Sequence, residues 1–165
     1  MYSKGDTLVL PMHGAGVIED FEEELIDGKN RQYYVLRIPV GNLKIMVSIE
    51  NIDNMNIRRV LAPEQLDQIM GQVTAAPLTI CSNDWNQRYK DNMEKIRSGC
   101  LAEIAMVFRN LHQRERERGL LSTAEKKMLT TAKKLILSEI ILSYGIDKFK
   151  AEEILEATFF AAVSN

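Results

Sequence analysis

Trp85 is the only tryptophan in the chain, and it heads the segment Asn83-Asp-Trp-Asn-Gln-Arg-Tyr-Lys-Asp-Asn-Met-Glu-Lys-Ile-Arg-Ser-Gly99, among Arg88, Lys90, Lys95 and Arg97. An indole among cations is equipped for contact with nucleic acid: the cations meet phosphates, and the flat ring stacks on a base or wedges at an unstacked step. The same spacing has a plainer use. Trp85, Tyr89, Met93 and Ile96 fall on one face of a 3.6-residue helix, so Trp85 is also readable as the end of a core stripe. Asp84 supplies an N-cap, with Gln87 three residues on in the capping-box arrangement. That places Trp85 in the first helical turn, where the stripe meets solvent.

Other residues offer less chemistry. His13-Gly-Ala-Gly16 has the glycines of a phosphate loop but lacks a Gly-Lys-Ser/Thr ending, and a strand follows it where a helix N-terminus is required. His13 and His112 fall in different parts of the chain, and no serine or cysteine lies in a nucleophile motif, so no enzymatic site assembles. Cys81 and Cys100 are too few for a disulfide scaffold or a zinc site and read as reduced thiols. The carboxylates Glu22 to Glu24, beside Asp20 and Asp27, alternate across a strand and read as a solvated hairpin edge, not a metal site.

The 165 residues suit one domain or two small ones with a buried core, at 45% hydrophobic content. No apolar run approaches the roughly 20 residues of a membrane span, and the N-terminal residues lack a signal-peptide core, so the expectation is a cytoplasmic protein. The net charge of −2 is uneven: residues 84 to 134 hold 12 basic and 7 acidic side chains, whereas each of the other segments is acidic. Such a patch binds phosphates through counterion release even on a slightly acidic molecule. Arg114-Glu-Arg-Glu-Arg118 can pair internally at helical spacing. With Arg88, Lys90, Lys95, Arg97, Arg109, Lys126, Lys127, Lys133 and Lys134 it also supplies cations for one continuous surface.

Two modules are needed to place these residues. Thr7 to Leu10, Gly16 to Phe21, Gln32 to Ile38 and Leu43 to Ile49 are short runs rich in β-branched and aromatic residues, with a fifth strand near Asn56 to Val60. Pro11 to Gly14, Asp27-Gly28 and Pro39 to Asn42 supply the turns. From Pro63 the period becomes 3.6, with a proline-led helix, a connector over Thr74 to Ser82 and the Trp85 helix. A third helix carries Leu101, Ile104, Ala105, Phe108 and Leu111. A fourth is capped by Ser122 and Glu125 with a stripe of Met128, Leu129, Ala132, Leu135, Ile136 and Ile140. A last helix holds Ile154, Leu155, Phe159 and Ala162. The expected fold is α+β in two modules: an SH3/Tudor-like small β-barrel over residues 1–62, then a compact bundle of four to five helices over 63–165.

The chain resembles the CarD/CdnL family of bacterial transcription regulators over essentially its full length. The resemblance rests on Gly5-Asp-Thr-Leu-Val-Leu-Pro with His13-Gly, Tyr34-Val-Leu, Asp84-Trp-Asn-Gln-Arg-Tyr-Lys-Asp-Asn, Lys95-Ile-Arg-Ser-Gly99, and Glu117-Arg-Gly-Leu with Glu125-Lys-Lys-Met-Leu. It implies a Tudor-like N-terminal domain, shared with transcription-repair coupling factors, that docks on the RNA polymerase β subunit. It also implies a helical domain that contacts promoter DNA at the upstream edge of the transcription bubble. No helicase motif accompanies it. By the resemblance Trp85 is the minor-groove wedge, and Arg88, Lys90, Arg114 and Lys126 hold phosphates. Gln87 and Thr131 stand where some relatives carry cations, and Glu24 and Met46 where some carry arginines. Arg31, Lys44 and Met46 are the candidates for the polymerase face, where an open fourth strand could also pair through its backbone.

The expectation is thus a non-enzymatic regulator, without metal, cofactor, membrane or small-molecule substrate, that stabilises the promoter open complex. The alternative is a protein-interaction adaptor whose helices only scaffold and whose cations form a solvated face.

Overall fold

The computed structural model describes residues 1–77, 83–119 and 121–160. Within them five strands, β1 (Thr7–Leu10), β2 (Gly14–Ile26), β3 (Lys29–Ile38), β4 (Leu43–Ser48) and β5 (Arg58–Arg59), precede five helices. These are α1 (Pro63–Ala75), α2 (Trp85–Arg97), α3 (Leu101–Arg118), α4 (Thr123–Tyr144) and α5 (Lys148–Phe160). A β module followed by a helical module is the arrangement the sequence predicts. Cys81 and Ala162 lie outside the described residues, as does most of the expected connector, whose first residues Thr74 and Ala75 belong to α1.

Every strand pair is antiparallel, in the order β4-β3-β2-β1-β5, so β4 and β5 are the edges of the sheet. Asp27 (φ 53°) and Gly28 (φ 77°) both take positive φ between β2 and β3, the conformation whose twist suits a two-residue hairpin. The hairpin is longer than the apolar pattern indicated. Glu22, Glu23 and Glu24 continue β2 opposite Tyr33, Gln32 and Arg31 of β3, where both faces of the ribbon are wet and no alternation marks it.

Alternation buries both faces of the sheet nearer its centre. Leu8, Leu10, Ile18, Tyr34, Leu36 and Val47 form one core with Ile52. Val9, Ala15 and Val35 are buried on the opposite face, where α4 packs on β2. The helices surround a second core that includes Leu66, Ile96, Val107, Phe108, Ile136 and Ile140.

Helix α4 is the common wall. Its stripe is wider than the sequence pattern suggested: Leu135 to Ile141 are all buried, because α4 touches β2 as well as α1, α2, α3 and α5. Two polar residues in that run, Ser138 and Glu139, are both satisfied across the joint between the modules. Ser138 Oγ donates to Leu135 O at 2.7 Å and accepts from Ala15 N–H at 2.9 Å. Glu139 accepts Arg58 Nη1 and Nη2, each at 2.7 Å, and Leu61 N–H at 3.0 Å. Arg58 Nε donates to Gly99 O at 3.1 Å, and Ser143 Oγ to Leu61 O at 2.6 Å. The sheet and the bundle are therefore bolted together by directional bonds in addition to apolar contact.

Candidate nucleic-acid interface

Asp84 caps α2 by accepting Asn86 N–H at 3.0 Å. The expected capping box does not form. Gln87 Nε2 donates forward to Asp91 Oδ1 at 2.8 Å, an i,i+4 bond on the solvated face that turns its side chain away from the Asp84 amide. Along the apolar stripe, Ile96 is fully buried and Tyr89 and Met93 pack against the helical core. Trp85, at the solvent end of that stripe, remains 42% exposed. Its ring stacks on Tyr89, with centroids 5.6 Å apart and planes 20° from parallel, and its Nε1–H donates to Ser122 Oγ at 3.3 Å. Tyr89, Met93 and Ile96 thus anchor α2, while Trp85 is held at the end of the stripe with part of the indole in solvent.

Arg88 is placed differently from the exposed cation its sequence context suggested. It is 5% exposed, and its Nε donates to Glu125 Oε1 at 2.7 Å, with Glu125 itself only 3% exposed. One turn after Trp85 the helix faces α4, so a cation there turns inward and meets the N3 carboxylate of that helix. Arg109 is half-buried and occupied: its Nη1 donates to Val73 O and Ala76 O, both at 2.6 Å, satisfying carbonyls at the end of α1. Of the expected basic surface, Arg88 is thus engaged inside the fold and Arg109 is tied to the end of α1.

Lys90, Lys126 and Lys127 are exposed and Arg114 is partly exposed. Lys127, Thr123 and Ala124 of α4 line one open groove with Tyr89, Met93 and Ile96 of α2 and Met12 of the β1–β2 turn, which puts the start of α4 beside the Trp85–Tyr89 stack. Among the described residues no ion pair forms within Arg114 to Arg118, and those side chains stay solvated at the end of α3 before its Gly119 cap. Ser122 joins the site only through the tertiary structure. The Ser122–Glu125 capping box was visible in sequence, but nothing there indicated that its hydroxyl also receives the indole N–H.

On the sheet, the register puts Arg31, Met46 and Lys44 on one face, together with Glu24, Tyr33 and Arg37. Lys44 Nζ reaches across β3 to Glu22 Oε1 at 3.2 Å, while Met46 is partly buried beside Val35. The outer edge of β4 has no strand partner among the described residues. Within those residues no cluster of His, Cys, Asp or Glu could hold a metal ion, and no helix is long and apolar enough to cross a membrane.

Comparison with known proteins accounts for both modules. Residues 2–61 match the family model described as CarD-like/TRCF RID domain, and residues 72–156 match the one described as CarD, C-terminal domain. The chain is also 38% identical over 149 residues to YdeB of Bacillus subtilis (strain 168), a protein named as a candidate transcription factor, across 88% of this chain and 94% of that one. With the two matches falling in order on the sheet and on the helices that carry Trp85, the chain belongs to the CarD/CdnL family of transcription factors.

Proposed function

We propose that this protein docks on the RNA polymerase β subunit through its sheet and stabilises the promoter open complex by placing Trp85 at the upstream edge of the transcription bubble. The observation that carries this reading is the state of Trp85: the sole tryptophan, 42% exposed, yet oriented by a stack on Tyr89 and a bond to Ser122. An exposed indole costs free energy in the free protein and gains it against an unstacked base. Lys90, Lys126 and Arg114 hold phosphates around it, and Arg88 supports the helix from within. The open edge of β4, with Arg31, Lys44 and Met46 on the adjoining face, takes the polymerase partner by strand addition, a mode that depends little on particular side chains. Tethering raises the local concentration of the helical module at the promoter, so a weak DNA contact suffices. Membership of a transcription-factor family supports the reading.

The test is the lifetime of open complexes on one promoter at saturating, folded protein. A base–aromatic contact of about 1–3 kcal/mol predicts that Trp85→Ala shortens the lifetime about five- to 150-fold. Lys126→Ala lowers the slope of affinity against salt by about one, as for a single phosphate contact. Equal lifetimes with and without the indole refute the wedge. An adaptor with no DNA contact shows no salt dependence of DNA retention.

A further inference from the structure

Trp85 and Arg88 stand three residues apart on α2, and Ser122 and Glu125 three apart at the start of α4. The bonds Trp85 Nε1–H to Ser122 Oγ (3.3 Å) and Arg88 Nε–H to Glu125 Oε1 (2.7 Å) both join residues 37 apart in sequence. The first turns of α2 and α4 are therefore linked in parallel register by two rungs. The rungs are also linked to each other. Ser122 Oγ accepts Glu125 N–H at 3.1 Å, and Ser122 N–H donates to Glu125 Oε2 at 3.4 Å. One Ser122 oxygen thus serves two donors, the amide that caps α4 and the indole, which matches its two lone pairs. The Glu125 carboxylate likewise serves the cap with one oxygen and Arg88 with the other.

We infer that Ser122 is a positioning residue for Trp85, and that the Glu125–Arg88 pair holds the Ser122 hydroxyl where the indole needs it. This inference rests on the reading of Trp85 as the DNA contact and adds how its ring is oriented. Stacking on Tyr89 restrains the indole plane but leaves rotation within that plane open; a bond at the ring N–H removes that freedom. Each part of the seat has a second reason to stay in place. Ser122 is held by the capping box, and Glu125 and Arg88 are both buried and paired. The exposed ring is thereby preorganised by an interior network, so less ordering remains when it meets DNA.

Because Trp85 is the only tryptophan, its fluorescence reads the seat without DNA. Ser122→Ala should lower the anisotropy of Trp85 in the free protein and shorten the open-complex lifetime about two- to tenfold, the value of one net hydrogen bond. Ser122→Thr, which keeps the hydroxyl, should restore both. A role confined to capping would lower stability without this signature, so the comparison is repeated in a Trp85→Phe background, where no N–H exists. There Ser122→Ala should leave the remaining lifetime unchanged at saturating, folded protein. Unaltered anisotropy in Ser122→Ala, or an equal loss of lifetime in both backgrounds, overturns the inference. If Trp85→Ala itself leaves the lifetime intact, the proposed function fails and so does a seat serving it. A Trp85 effect with Ser122→Ala neutral overturns the inference alone.

Discussion

Removing Arg58 tests whether a buried carboxylate holds the two modules in one orientation. Glu139 has a side chain 3% exposed and accepts two bonds from Arg58 and one from Leu61 N–H. In Arg58→Ala the carboxylate keeps only the amide of Leu61 and stays shut away from water, a loss of about 3–5 kcal/mol for one half of a buried pair. The Arg58 side chain is 29% exposed, so solvent already screens part of the attraction and the lower end, about 3 kcal/mol, is expected. That is roughly a 150-fold change in the folding equilibrium. Glu139→Gln keeps the size and a carbonyl acceptor and should cost less, about 1.5–2 kcal/mol for weakened charge-assisted bonds. The double substitution Arg58→Met with Glu139→Leu removes the buried charge altogether and should recover most of the loss. Urea denaturation of the full chain measures all three, with hydrogen exchange at Ala15 N–H reporting whether β2 still rests on Ser138. A cost below about 1 kcal/mol for Arg58→Ala, or a double variant no more stable than it, would refute the idea that the buried charge makes the joint.

Two further predictions use the same joint and its far side. Gly14 has φ 101°, and a Cβ there would lie 2.6 Å from Ser138 Oγ, whereas one at Gly28 (φ 77°) would meet nothing. Gly14→Ala should therefore lower the melting temperature more than Gly28→Ala, whose cost is backbone strain alone, about 1 kcal/mol; equal shifts would show that the close approach is relaxed in solution. His112 packs against Phe160, with ring centroids 4.1 Å apart, and burial followed by the charge of Arg116 holds its pKa below the usual 6.5. The unfolded chain then binds that proton more readily, so this stability is complete above about pH 6.5 and declines as pH falls through it. His112→Gln should flatten the fall in melting temperature between about pH 8 and 5; a profile parallel to wild type would remove His112 as the cause.

Local signals in the chain were reliable where the cause is local. Asp27-Gly28 made the hairpin, Pro63 opened α1, and Ser122 with Glu125 capped α4, because each depends on backbone conformation or on bonds spanning three residues. The Asp84–Gln87 box failed for a reason equally local, since Gln87 turns its side chain forward to donate to Asp91 and does not reach back to accept Asp84 N–H. The length of β2 was less legible because charged residues on both faces erase the period on which a strand is recognised.

The two-module plan, the family and the position of Trp85 at the end of an apolar stripe are legible along the chain, since periodicity and motif order are properties of neighbouring residues. Which cations face water depends on how the helices pack. Arg88 and Lys90 lie in one basic run, yet one is buried on Glu125 and the other exposed, because their directions around α2 meet α4 and solvent respectively. The same holds for the joint, where Arg58 and Glu139 are 81 residues apart. Pairing at such distances depends on where whole helices pack, and no spacing along the chain records that.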